Sequence, residues 1–161
     1  MRKFRVLKLK TVCFDRASQL TGTITHMTIR MDGSVGYFFQ PQGLDEKGEP
    51  RERLFVKAEH LDVTPEAYHE IDVPMNILGT IVTDDLSSFS GMAMAFVWHI
   101  NGCLHVSVQA PAKDGKVLLP LEFDLRHCSG EEIPKLTEAE VVASEVKKPS
   151  PAGERREPPF H

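Results

Sequence analysis

His99, Cys103 and His105 stand close together around one predicted chain reversal, and these residue types bind metals and act as nucleophiles or bases. A structural zinc site commonly takes its four ligands from pairs with CxxC or HxxxH spacing. Neither spacing occurs in the chain. We therefore expect no metal site and no cofactor. His99 and His105 are expected on the outer face of a strand pair, with Cys103 at the base of its loop.

The same three residues also suggest catalysis, with Cys103 as nucleophile and His99 or His105 as base. No oxyanion-type glycine motif accompanies them, and neither GxGxxG nor GxxxxGK occurs for phosphate binding. Asp15 and Asp84 resemble a carboxylate pair, but they occupy the same turn of two similar segments and are expected to cap those turns. We predict no catalytic residues and no enzyme activity.

The amino-acid composition limits which classes of protein are possible. The 161 residues are 41% hydrophobic and 26% charged, so a packed core is expected. The net charge of -4 disfavours a free nucleic-acid binder. Three cysteines without a CxxC pair indicate free thiols in a reducing compartment. No signal peptide or membrane-spanning run is recognised, so a soluble intracellular protein is expected.

Two predicted β-hairpins position the candidate residues. The hairpins lie 69 residues apart in the chain, and the sequences around them are similar. Residues 9–45 and 78–114 agree at eight positions, most of them in turns: Leu9/Leu78, Thr11/Thr80, Asp15/Asp84, Ser18/Ser87, Gly22/Gly91, Gly33/Gly102, Gln40/Gln109 and Asp45/Asp114. Two copies are too few for a solenoid, so they predict a pair of small domains.

Each hairpin turns at Asp32-Gly33 or Asn101-Gly102. A two-residue loop would set the apolar side chains of the two strands on opposite faces. A three-residue loop with glycine in the left-handed region and a bulge aligns them instead. We predict the bulged loop, with the pairs Ile29/Val35, Met27/Tyr37 and Thr25/Phe39, and Trp98/Leu104, Phe96/Val106 and Met94/Val108.

The expected organisation is a first β repeat at 1–63, a linker at 64–76, a second β repeat at 77–130, and a short helix with a disordered tail at 131–161. Thr64-Pro65-Glu66 has the N-cap and first-position proline of a short helical turn. Thr137 to Glu140 forms a capping box. The proline- and charge-rich residues 147–161 predict disorder.

The second copy carries a recognisable series: Leu78-Gly79-Thr80-Ile81-Val82, Ser90-Gly91, Asn101-Gly102-Cys103 and Lys113-Asp114-Gly115-Lys116. This series resembles small SH3-like barrels of the KOW type and small, mostly uncharacterised proteins of tailed phages and prophages. The resemblance implies an all-β protein of two tandem SH3-like barrels, located in the cytoplasm of a host cell or in a virion. Thr64-Pro65-Glu66 adds a short helical linker between the barrels. It supplies no catalytic residues. The chain departs from the pattern at Gln19 and Ser88, which replace a glycine, and at Ser34, which stands where the second copy has Cys103.

An apolar outer face on the hairpins is the candidate interaction surface, formed by Phe38, Ala93, Ala95, Val97 and His99. Either the two barrels pack together there, which we favour, or the face binds a partner or a second copy. The predicted function is non-enzymatic protein interaction or assembly of phage or prophage type. The alternative is a nucleic-acid-associated KOW-like module, although the outward hairpin positions form no cationic stripe.

Overall fold

Short alternating runs separated by polar turns give an all-β fold, as predicted. The computed structural model describes residues 1–134, so the predicted helix after Thr137 and the predicted tail lie outside the described residues. The strands are β1 (Arg2–Leu7), β2 (Val12–Asp15), β3 (Leu20–Arg30), β4 (Val35–Pro41), β5 (Leu54–Val56), β6 (Leu61–Asp62), β7 (Tyr68–Val73), β8 (Ile81–Asp84), β9 (Ser90–His99), β10 (Leu104–Gln109), β11 (Leu121–Asp124) and β12 (Cys128–Gly130). Four 3₁₀ turns cover Ala58–His60, Pro65–Ala67, Met75–Ile77 and Leu125–His127. None of the helical segments in the described part of the chain has the length and apolar character needed to cross a membrane.

Two segments of the chain have the same strand order. The first segment, β2 to β6, is ordered β6-β2-β3-β4-β5, and the second segment, β8 to β12, is ordered β12-β8-β9-β10-β11. A 3₁₀ turn precedes the last strand of each segment. The backbone of the second segment therefore repeats the connections of the first.

The two segments join through β3 and β9, which pair antiparallel along His26–Arg30 and Ala95–His99. Strand β3 has 11 residues and β2 only 4, so the last part of β3 extends past β2. The edge of this part would be unpaired if the first segment stood alone. Strand β9 pairs with that edge, which removes the risk of pairing with another chain. The result is one ten-stranded sheet, and no strand pairing among residues 1–134 closes a barrel. The two separate closed barrels expected from the resemblance are not observed.

The predicted linker contains more structure than a helical turn. Pro65–Ala67 forms the expected 3₁₀ turn with Thr64 as its N-cap. Directly after it, β7 pairs along its whole length with β1, from Arg2↔Val73 to Leu7↔Tyr68, and forms a separate two-stranded sheet. The Leu7 backbone N–H donates to the Tyr37 hydroxyl at 3.0 Å, which fixes this ribbon to the first hairpin.

One hydrophobic core spans both segments and the β1–β7 ribbon. Its largest fully buried side chains come from all three parts: Val6, Leu7, Ile24, Ile29, Phe39, Val73, Val82, Phe96, Val106 and Val108. Because the core is shared, we expect the folding of each segment to depend on the other.

The hairpin loops are the predicted three-residue loops. Gly33 and Gly102 have φ of 81° and 86°, the left-handed region that the bulge requires. The first two predicted pairs of each hairpin are confirmed: Ile29/Val35, Met27/Tyr37, Trp98/Leu104 and Phe96/Val106.

The third predicted pair of each hairpin is wrong, because a second bulge lies further along the strand. The register shifts at Thr25 in β3 and at Met94 in β9, so Phe39 faces Ile24 and Val108 faces Ala93. The shift turns the side chains before each bulge to the opposite face.

Candidate functional site

The outer face of the joined sheet lies opposite the core-facing side chains of β9. Phe96 faces the core and Trp98 packs against it, so the alternating Ala95, Val97 and His99 lie on the other face. These three pair across the junction with Arg30, Thr28 and His26 of β3, respectively. The two copies meet here by pairing β3 with β9 edge to edge, whereas the explanation that we favoured was two barrels packed together through this face.

Two of the five predicted surface residues are not accessible. Ala93 has 0% exposure and belongs to the core, because the bulge at Met94 turns it inward. Val97 stays on the outer face but is only 4% exposed, since Thr28 and His105 lie on either side of it. Ala95, His99 and Phe38 are half-buried.

Three residues on this outer face form what we call the histidine cluster: His99, His105 and Glu122. Their ligand atoms all lie within 4.8 Å of one another. Glu122 Oε2 is 3.3 Å from His99 Nε2 and 3.6 Å from His105 Nδ1. Both nitrogens are buried, and neither forms a hydrogen bond within the described part of the chain. Two imidazoles and a carboxylate therefore converge, but neither of the two nitrogens forms a hydrogen bond with the carboxylate.

Three neighbouring strands position the histidine cluster. His99 ends β9, His105 lies near the start of β10 opposite Val97, and Glu122 lies in β11 opposite Ser107. The spacing of the two histidines in the sequence predicted no metal site. The predicted bulged register places both histidines on one face of the hairpin. It does not predict the position of Glu122, which lies outside the hairpin.

The corresponding place in the first segment has different chemistry. Arg30 and Gly36 match the two histidines in the hairpin alignment, and Phe55 matches Glu122 in the following strand. A Cβ at Gly36 would collide with the Phe55 ring. The first segment therefore fills this position with an aromatic ring and has no ligand set there.

Next to the histidine cluster lies an aromatic and arginine group. Phe38 and Phe55 meet edge to face with centroids 5.6 Å apart, and the Arg53 and Arg30 guanidinium groups lie 5.4 and 5.6 Å from these rings, respectively. His26 connects this group to the cluster, with its ring 5.7 Å from Phe38 and 4.5 Å from His99.

Burial lowers the pKa of His26, and the nearby groups His99 and Arg53 lower it further. Its Nδ1 is already in contact with Thr25 Oγ1 at 2.8 Å. His26 is therefore a neighbour of the cluster rather than a member of it.

The carboxylates considered for catalysis cap turns, as predicted. Asp15 accepts hydrogen bonds from the backbone N–H groups of Ala17 and Ser18. Asp84 accepts from the backbone N–H and the hydroxyl of Ser87 at 2.9 and 2.5 Å.

The cysteines differ in their surroundings. Burial, with Asp15 nearby, raises the pKa of Cys13 to about 11, and burial with neighbouring aspartates does the same for Cys128. Thiols with such pKa values remain protonated and unreactive at neutral pH. Cys103 is half-buried at the base of its loop.

A second feature, the apolar surface of the second segment, consists of Ile81, Met92, Val117, Leu118 and Leu119. Ile81 pairs across the strands with Met92, and Met92 pairs with Gln109. The Gln109 amide donates to the Leu118 carbonyl at 2.7 Å, which holds the loop beside this strand pair. Val117 and Leu119 are 80% and 85% exposed.

The first segment has the same backbone arrangement with other side chains. Val12 pairs with Thr23, Thr23 pairs with Gln40, and the Gln40 amide donates to the Arg51 carbonyl at 2.7 Å. Where the second segment has Val-Leu-Leu, this loop has Pro50-Arg51-Glu52. The two segments therefore present a polar and an apolar version of the same surface.

Comparisons of the chain with protein-family models, with curated proteins and with solved structures found no match.

Proposed function

We propose that this chain is a non-enzymatic protein-interaction or assembly protein of phage or prophage type, built from two SH3-like β repeats. The observation that carries the proposal is the apolar surface of the second segment. The phage context comes from the sequence resemblance. The partner is another protein or a second copy of the chain.

Contiguous exposed apolar area is uncommon on a monomeric protein and usually marks an interface. Here two exposed strand residues, Ile81 and Met92, adjoin an exposed loop. The loop has no apolar counterpart in the first segment, where the same hydrogen bond holds Arg51. The apolar character is therefore a property of the side chains and is not required by the backbone arrangement.

Photo-crosslinking tests the surface directly. A photoreactive benzoylphenylalanine placed at Leu119 is expected to give discrete adducts, either with one protein of the native host or phage lysate or with a second copy. The matched control places the same group at Glu52, the equivalent loop position of the first segment. Equal adduct yields at the two positions would contradict the proposal.

Charge substitution provides an independent measurement. Ile81→Lys with Leu119→Lys should abolish the adducts, or the self-association seen by sedimentation. Val12→Lys with Glu52→Lys should leave the adducts and the self-association unchanged, because these residues belong to the polar surface of the first segment. The control is matched in exposure, since Val12 is 58% exposed and Ile81 60%. Association that survives the first pair of substitutions would place the interface elsewhere.

The aromatic and arginine group favours a second candidate function, a nucleic-acid-associated module. Exposed rings beside arginines stack on the bases of single strands, and each stacked base contributes about 1–3 kcal/mol. Phe55 is 45% exposed, and Arg30 lies beside its ring.

Fluorescence anisotropy with a labelled single-stranded oligonucleotide tests this second function. Affinity should fall steeply with salt and should drop about fivefold or more in Phe55→Ala. Phe14→Ala is the control, since Phe14 is an exposed phenylalanine on β2. Absence of binding at low salt would remove this candidate.

A further inference from the structure

We infer that His99, His105 and Glu122 form a binding site for a divalent transition metal of the zinc class, bound through His99 Nε2, His105 Nδ1 and a Glu122 carboxylate oxygen. This inference is independent of the proposed function, since it concerns the outer face of β9–β11 and uses none of the residues of the apolar surface.

The separations of the ligand atoms fit such an ion. Zinc–ligand bonds of about 2.0–2.1 Å in a tetrahedral site place the ligand atoms about 3.3 Å apart. The two nitrogen-to-carboxylate distances are 3.3 and 3.6 Å, and the ligand atoms all lie within 4.8 Å of one another. Binding then requires only small side-chain rotations, while the three strands stay fixed by their hydrogen bonds.

The unsatisfied nitrogens favour a metal over a simple ion pair. His99 Nε2 and His105 Nδ1 are buried without a hydrogen-bond partner within residues 1–134, and a buried polar atom in that state costs free energy. Glu122 Oε2 lies 3.3 and 3.6 Å from the two nitrogens, yet neither contact forms a hydrogen bond. A divalent ion takes a lone pair from each of the two neutral rings and from the carboxylate.

The ligand types restrict the metal. Imidazole nitrogens suit zinc and neighbouring transition metals, whereas magnesium and calcium prefer oxygen ligands. Two histidines and one glutamate supply three ligands and leave a fourth position for water or a group from another molecule. The ion would connect β9, β10 and β11, three adjacent strands of the second segment.

Isothermal titration of the metal-free full-length chain with Zn²⁺ tests the inference. We expect one site per chain, with affinity reduced about 100-fold or more in His105→Ala and in Glu122→Gln, since loss of even a supporting residue of a metal site costs 10- to 100-fold. His69→Ala is the matched control, because His69 is an exposed histidine in β7 and should leave the affinity unchanged. Equal weakening in the control and the ligand variants would overturn the inference, as would no binding at all.

A spectroscopic measurement separates ligand loss from misfolding. Co²⁺ bound to the wild type should give the visible absorption of a four-coordinate site, and Glu122→Gln should change that spectrum. Zn²⁺ should also raise the Tm of the wild type and of His69→Ala. If Glu122→Gln folds with an unaltered far-UV spectrum and still shows the full wild-type Zn²⁺ shift, Glu122 is not a ligand and the assignment fails.

Discussion

Two aspartates close equivalent turns in the two segments. Asp15 and Asp84 each accept hydrogen bonds from the residues that follow them, and both are nearly inaccessible, at 2% and 5% exposure. The side-chain hydrogen bond from Ser87 lowers the pKa of Asp84 and outweighs burial, which acts to raise it. At Asp15 burial is the largest influence and raises the pKa, but the hydrogen bonds from Ser18 and Ala17 together lower it below the ordinary value.

These caps predict how stability depends on pH. Because the folded-state pKa of Asp84 lies below its ordinary value of 3.8, the ionised form contributes stability above that pH. The contribution is lost as the pH falls through the lower folded-state value. Asp84→Asn should therefore lower the urea midpoint at pH 7, and its difference from the wild type should shrink below about pH 3.8.

The control for this prediction is Asp72→Asn, which removes a carboxylate from an exposed ion pair with Lys3 at 3.6 Å. Exposed ion pairs contribute little, so its urea midpoint should stay close to that of the wild type. A constant difference between Asp84→Asn and the wild type from pH 7 down to pH 2.5 would show that the charge of Asp84 has no part in the effect.

At the scale of elements, each long hairpin contains a close approach of two backbones. A Cβ at Gly22 would collide with the Gln40 carbonyl, and a Cβ at Gly91 would collide with the Gln109 carbonyl. These glycines are buried, and the neighbouring atoms are backbone, which cannot rotate away. The identity of Gly22 and Gly91 in the alignment thus has a steric cause.

We predict that Gly22→Ala and Gly91→Ala each destabilise the fold by about 1–3 kcal/mol, the usual cost of forcing extra volume into a packed site. Urea unfolding followed by far-UV circular dichroism measures the change. Thr21→Ala, at the exposed position before Gly22, should change the stability by no more than about 0.5 kcal/mol. Wild-type stability in both glycine variants would mean that the two strands can separate freely at this point.

At the scale of the whole molecule, the two segments form a single structure rather than two independent domains. The β3–β9 pairing joins their sheets, and one core contains side chains of both segments. Trp98 is the single tryptophan of the chain, and it pairs with Met27 across this junction. Its fluorescence therefore reports on the contact between the segments.

A single cooperative unfolding transition is the expected consequence. Trp98 fluorescence and far-UV circular dichroism should give the same urea midpoint, since separating the segments would expose the shared core. Two resolved transitions, or fluorescence that changes well before the secondary structure, would contradict the shared core. Thr28→Pro should lower the urea midpoints of both signals together. Proline in β3 removes a hydrogen-bond donor from a strand that is paired on both sides.

The all-β class, the three-residue hairpin loops and the capping role of the aspartates were predictable from the sequence alone. These features depend on local geometry: alternation of apolar residues, a glycine with positive φ, and a carboxylate beside the next N–H groups. Features that depend on pairing between distant strands became visible only in the folded structure. The bulges at Thr25 and Met94, the β1–β7 ribbon and the β3–β9 junction have no local signature in the chain. The histidine cluster needed Glu122 from a third strand, so hairpin spacing alone could not predict it.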